Sequence, residues 1–384
     1  MKAIKELLIR EGVPQPGFKN RSASAVHLLY VDPFVNAEGY YRMLLPYLEL
    51  GKTTYFETRV TSVKKWDFTQ GYTISPETFR EEDVQWADYI IFPTLLEAYG
   101  YLFKALRVLN PDVYLVMDVT RMIPKLPRTH PDYGKFTTDQ KRCFFSNIYS
   151  MDSITTPFKA IAQLFHQYKE YGDQLLKDVD IFWLPTLVSR LGYEDVTERE
   201  KTNKEIVRIG MIGSSRWIPH YRYILPVLEK VGKTYGNLME IHLFGWDGKE
   251  ENGKMTLGTI PVTYYKSVSF LEYFQELQDL HLDMLLIPME PSDYNYFTDT
   301  TRFLEAAALG IPVIAPENSA YKLIIQEGVT GLLAEKLKDW EAALIRLIEN
   351  PEFREELGAN ARNWVWNYRG YHPKTITLFR ELFI

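Results

Sequence analysis

The sequence predicts an α/β protein of two doubly wound domains, and three observations carry that prediction. The first is length: 384 residues are more than one hydrophobic core usually serves. The second is alternation, since short apolar runs at 26–31, 89–92, 113–117, 207–212 and 239–244 are each followed by a turn-rich or helical stretch. The third is the stretch 300–315, which reads as a helix, a tight corner and a buried strand. Gly310 suits the left-handed position just past a helix end, Pro312 forbids further helix, and Val313-Ile314-Ala315 continues as an apolar strand. Such a corner is one half of an α/β unit.

Composition narrows the class. Hydrophobic content of 46% with 24% charged residues is that of a globular protein able to fill a full core. The 26 Tyr and 8 Trp serve either sugar-stacking surfaces or large cores and interfaces. A formal charge of −6 argues against a general nucleic-acid binder while leaving a local basic patch open. Cys143 is the only cysteine, so neither an intrachain disulfide nor a cysteine metal cluster forms, which fits a reducing compartment. Residues 1–10 read as a short amphipathic helix broken by charges, not a signal peptide, and no apolar run reaches the roughly 18 residues of a membrane span. The expected location is the cytoplasm.

In the first half, 26–31 is the first strand, 32–39 a turn-rich loop ending in Gly39, and 40–50 an amphipathic helix carrying Arg42. Open α/β sheets place ligands at strand carboxyl ends, so this loop is a candidate site. Further strands are expected at 54–61, 89–92, 113–117, 154–156 and 179–185. Asp118 stands at the end of one of them, either facing a ligand or capping the next turn. Residues 121–138, with three prolines, read as a loop or lid, and the charged, aperiodic 192–204 as a linker with the domain boundary near 200.

The second half restarts with a strand ending at Gly213, then Ser214-Ser215-Arg216 and a helix over 222–233. A helix N-terminus after a glycine turn offers free N–H groups to a phosphate, and Arg216 adds a guanidinium fork. Strands follow at 239–245, 262–266 and 282–288, with a helix at 270–280 between the last two. The polar turn 289–298 leads into the helix that carries Arg302 and Glu305, with Thr300 or Thr301 as its N-cap. One turn apart, Arg302 and Glu305 read either as a solvated surface pair or as site residues. Helices close the chain at 340–348, 352–366 and 371–384.

The run Arg302-Phe-Leu-Glu305-Ala-Ala-Ala-Leu-Gly310-Ile-Pro312 resembles the signature of nucleotide-sugar glycosyltransferases of the GT-B fold, family 4 in particular. Gly328-Val-Thr-Gly331-Leu-Leu333, and Phe244-Gly245 followed by Trp246, are similar to further family runs. The resemblance is dense over 207–365 and thin over 1–200, where Tyr40-Tyr-Arg42 looks like a branch of surface-polysaccharide and phage enzymes. It implies two Rossmann-like domains facing across a cleft, 1–200 on the acceptor side and 201–365 holding the donor, with 366–384 packing back on the first.

By the same resemblance Glu305 holds ribose hydroxyls, and Arg216 and Arg302 stabilise the leaving diphosphate. Gly213, Ser214, Ser215 and His220 form the phosphate loop. Tyr264 (or Tyr265) lies at the nucleobase, Asn295, Thr298, Thr300 and Thr301 line the donor loop, and Asp118 faces the donor sugar. Gly39 and Arg42 lie on the acceptor side. The sequence departs from the family pattern at Phe297, where a first glutamate is usual, and lacks the histidine common near Asp118; Glu290 and Asp293 are spare acids. The expected activity is retaining transfer from a nucleoside diphosphate sugar, with no metal and no cofactor. The acceptor is a glycan, lipid-linked saccharide, protein or nucleic acid. The alternatives are an epimerase or hydrolase of the same fold using Asp118, Glu38 or Glu97, and a non-catalytic sugar-nucleotide-binding subunit.

Overall fold

The structure, a computed structural model, describes residues 25–31, 37–61, 74, 78–128, 130, 133–193, 206–213, 217–246, 257 and 260–384. Two compact units divide the chain: one is Arg190–Gly370 with Thr129–Asp132, and the other combines Lys2–Arg128, Tyr133–Ser189 and Tyr371–Ile384. The expected boundary near residue 200 falls outside the described residues.

In the N-terminal unit six parallel strands form one sheet: β1 (Val26–Tyr30), β2 (Phe56–Val60), β3 (Tyr89–Phe92), β4 (Tyr114–Asp118), β5 (Ser153–Thr156) and β6 (Asp180–Trp183). Their order is β2-β1-β3-β4-β5-β6, so the chain reverses its direction of travel across the sheet between β1 and β3. Helical turns at Ala37–Gly39 and Tyr40–Leu44 run into α1 (Leu45–Leu50); α2 (Glu81–Trp86), α3 (Gly100–Leu109), α4 (Thr138–Ile148) and α5 (Lys159–Glu170) follow the later strands. Gly39 lies within that first helical run at φ −60°, so no glycine conformation is used there. Local chemistry sets the start of α4, where Thr137 and Gln140 exchange side chain-to-backbone hydrogen bonds in a capping box. The C-terminal helix (Pro373–Phe383) belongs to this unit and sets Phe383 edge-on to Phe56 and Tyr89.

The C-terminal unit repeats the plan with β7 (Val207–Ile212), β8 (Met239–Phe244), β9 (Val262–Tyr265), β10 (Met284–Leu286), β11 (Val313–Pro316) and β12 (Leu332–Ala334). The order β12-β11-β10-β7-β8-β9 puts the reversal between β7 and β10. Helices α6 (Ile218–Tyr235), α7 (Phe270–Asp279), α8 (Thr301–Ala308), α9 (Leu337–Glu349) and α10 (Pro351–Tyr368) complete it. Ile224, Leu228 and Val231 of α6 and Trp340, Leu344 and Leu347 of α9 share one core with Ile209, Ile241 and Leu243 of the sheet. Each such side chain contributes about 2 kcal/mol on burial.

The corner after α8 forms as its sequence requires. Gly310 takes φ +71°, and β11 is fully buried. α10 crosses this corner so closely that a Cβ on Gly358 would stand 2.1 Å from the Gly310 carbonyl oxygen. Among the described residues no helix is long and apolar enough to cross a membrane.

Candidate functional site

Open α/β sheets bind ligands beyond the carboxyl ends of their strands, where the strand order reverses. In the C-terminal unit that point lies between β7 and β10, and the connections leaving it carry Gly213, His220, Asn295, Thr298, Arg302 and Glu305 of the sequence-predicted residues. Ser214, Ser215 and Arg216 lie outside the described residues.

α8 is buried on nearly every side, so Arg302 and Glu305 are not a solvated surface pair. Glu305 is 4% exposed and its Oε2 accepts a hydrogen bond from Tyr273 Oη of α7 at 2.7 Å. Burial, then the Glu305 charge, pushes the Tyr273 hydroxyl well above its usual pKa, so it remains a donor. Arg302 instead lays its guanidinium over the Trp217 indole, 3.5 Å from the ring centre. Thr300 is the N-cap of α8 but its side chain makes no cap bond; Asp299 Oδ1 accepts from the Thr301 N–H at 2.9 Å in its place. The Tyr321 hydroxyl donates to the Asp299 carbonyl at 3.1 Å and pins the same helix end.

His220, in the first turn of α6, accepts from the Glu290 N–H at Nδ1, 2.9 Å away. Burial, then the charges of Arg302 and His130, holds its pKa down to about 4. The imidazole is therefore neutral with its proton on Nε2, a hydrogen-bond donor. Asn295 is buried and its Nδ2 donates to the Glu290 carbonyl at 3.0 Å, while Thr298 Oγ1 donates to the Asn295 carbonyl at 2.6 Å. Both residues brace the loop from β10 to α8. Glu290 is exposed at its start, and Asp293 opens a 3-10 turn within it. Tyr264 packs edge-on against Trp246, and Tyr265 bonds His242 Nδ1 at 2.9 Å. At the end of β7, a Cβ on Gly213 would stand 2.7 Å from Trp217 Cδ1 and 2.8 Å from Tyr221 Oη. Among the described residues the buried Tyr221 hydroxyl has no hydrogen-bond partner. Trp217, Tyr221, Tyr273 and Tyr321 went unmarked in the sequence, where only the high aromatic content hinted at them.

The N-terminal unit resolves its own pair differently. Arg42 donates through Nε to Asp118 Oδ1 at 3.0 Å, through Nη2 to Oδ2 at 2.6 Å, and through Nη1 to the Leu184 carbonyl at 2.8 Å. Thr155 Oγ1 adds a 2.6 Å bond to the same Oδ2, and Asp118 and Arg42 are 2% and 7% exposed. Asp118 and Arg42, expected as a donor-facing acid and an acceptor-side arginine, are bonded to each other inside the unit. Nearer the sheet reversal, Glu38 accepts from Thr120 Oγ1 and stands 3.7 Å from Arg121 Nε, while Thr94 Oγ1 donates to the Asp118 carbonyl at 2.8 Å. Glu97 is exposed beyond β3.

Residues 301–364, from the start of α8 into α10, match the family Glycosyl transferases group 1. A D-inositol 3-phosphate glycosyltransferase of Actinosynnema mirum is 40% identical over 70 residues, which are 18% of this chain and 16% of that protein. Thus the match spans about a sixth of that relative's length. Several solved structures are similar over nearly the whole chain. Sucrose-phosphate synthase from Thermosynechococcus elongatus has a TM-score of 0.60 at 14% identity, covering 93% of this chain and 99% of its own. Anabaena HepE, in a complex with UDP and glucose, has a TM-score of 0.54 at 13% identity, covering 92% and 97%. The chain has the GT-B fold of two Rossmann-like units, and its segment 301–364 carries the sequence of the glycosyl transferases group 1.

Proposed function

We propose that this protein is a glycosyltransferase that takes a sugar from a nucleoside diphosphate sugar held at the β7–β10 reversal of its C-terminal unit. One observation carries the reading. A buried carboxylate and a stacked guanidinium sit one turn apart on α8, and neither satisfies the other. Glu305 offers carboxylate lone pairs to the ribose hydroxyls, with Tyr273 fixing the orientation of its Oε2. Arg302 faces the charge that grows on the departing diphosphate, and the His220 Nε2–H adds a neutral donor beside it. Preorganised donors of this kind are commonly worth about 3–4 kcal/mol of barrier each. The fold relative HepE, bound to UDP and glucose, supports the donor class.

In the step itself the bond from the anomeric carbon to the diphosphate oxygen breaks and one to an acceptor hydroxyl oxygen forms. The acceptor's proton leaves to the departing phosphate. Transfer retains the anomeric configuration, uses no protein nucleophile and requires no metal in this reading. Asp118 and Arg42 take no part in it, because each is consumed by the other.

The test is a thermal-shift screen of the wild type and Glu305→Ala against UDP, GDP, ADP, CDP and TDP. One nucleotide at a hundred times its Kd should stabilise the wild type by about 2.7 kcal/mol, and the variant should lose most of that shift. No shift with any nucleotide at millimolar concentration would overturn the reading.

A further inference from the structure

We propose that Trp217 is a positioning residue: its indole holds the Arg302 guanidinium, and with it His220, in the arrangement that grips the donor's diphosphate. The inference rests on the donor reading above and adds a residue to which neither the family match nor the sequence pattern gives a role.

Three contacts wedge the indole in place. Arg302 lies on its face at 3.5 Å from the ring centre. His220 meets it at 5.1 Å between ring centres, tilted by 50°. Gly213 lies against its Cδ1 edge, in a space that a side chain at 213 would fill at 2.7 Å. Gly213 is thus a seat for the indole before it is a cradle for phosphate. Stacking engages only the π face of a guanidinium, so its in-plane N–H fork remains directed outward for a bidentate oxyanion. A carboxylate partner would consume that fork, as Asp118 does to Arg42. Among the described residues Arg302 has no such carboxylate. The indole therefore orders a long, flexible cation without neutralising it, and the ordering is complete before the ligand arrives. His220 is fixed from two sides, by the indole and by the Glu290 N–H on Nδ1.

The experiment uses the full chain, with inorganic pyrophosphate and UDP as probes. Wild type, Trp217→Leu, Trp217→Tyr, Arg302→Ala and the Trp217→Leu/Arg302→Ala double variant are compared by ligand-induced thermal shift, each against its own ligand-free midpoint. Trp217→Leu should weaken both probes about tenfold or more, and Trp217→Tyr, which keeps an aromatic face, should stay within about threefold of wild type. The double variant should lose little beyond either single one, because both act on the same cation. Gly213→Ala provides a second route: its methyl displaces the indole while leaving Trp217 and Arg302 chemically intact, and it should mimic Trp217→Leu. Wild-type affinity in Trp217→Leu, or strictly additive losses in the double variant, would overturn the inference and leave the donor reading standing. If the wild type itself binds neither probe, the donor reading fails and takes this one with it.

Discussion

Each unit of this protein places an arginine and an acid near the point where its strand order reverses, and the two pairs have opposite fates. Arg42 and Asp118 come from a helical turn and a strand end, meet fork to fork, and recruit Thr155 and the Leu184 carbonyl to satisfy what remains. Arg302 and Glu305 share one helix face, yet each has a separate neighbour, an indole for the cation and a tyrosine hydroxyl for the acid. The first arrangement is closed and holds the unit together. In the second, an indole and a tyrosine hydroxyl order the two charges and carry no charge themselves. Residue type does not distinguish a structural pair from a site; what each member is bonded to does.

That comparison can be tested from its strongest consequence downward. Removing one member of the closed pair, as in Arg42→Ala, strands a buried charge and should destabilise the N-terminal unit by about 3–5 kcal/mol in urea unfolding. Arg302→Ala should move stability by less than about 1 kcal/mol, and equal losses would erase the distinction. Acid comes next. The folded pKa of His220 is about 4, below the ordinary 6.5, so the unfolded chain takes up a proton that the folded one refuses. Stability from this residue is complete above about pH 6.5 and falls as pH drops towards 4, by at most about 1.4 kcal/mol per pH unit. His220→Gln should remove that component from the pH profile, and an unchanged profile would show that burial is not holding the ring neutral.

A smaller effect is expected at Tyr273→Phe, which takes a hydrogen bond from a buried carboxylate and should cost about 1.5–3 kcal/mol of stability. It sharpens the contrast if nucleotide affinity falls along with stability. Smallest of all is Tyr221→Phe. Its buried hydroxyl has no partner among the described residues, so deletion should leave the ligand-free protein equally stable or raise it by up to about 1 kcal/mol. A clear loss there would mean that the hydroxyl is satisfied after all.

Much of the fold was legible in the sequence because it is written in local signals. Short apolar runs marked the strands, and Gly310 with Pro312 marked the corner that forms after α8. The helix carrying Arg302 and Glu305 was read correctly, but its burial was left open, since three alanines are compatible with either surface or core. The partnerships that decide function lay beyond local reading. Asp118 and Arg42 are 76 residues apart, and Tyr273 and Glu305 are 32 apart. No periodicity announces such meetings; they exist only once the sheets have brought the chain together. Gly213 was read as a phosphate glycine, and a side chain there would also meet the indole beside it.

The crossing of α10 over the Gly310 corner has a mechanical consequence. Where Gly358 meets that turn, backbone lies against the Gly310 backbone, with the rigid Pro312 ring beside the contact. A packed layer of side chains can absorb a displacement by changing rotamers, whereas bare backbone in contact can only move together. The helix that presents Arg302 and Glu305 is therefore clamped to a long rod behind it, Pro351–Tyr368. Amides of the two elements should open to hydrogen exchange as one cooperative block, and the tautness of the site is set as much by that rod as by anything lining the site.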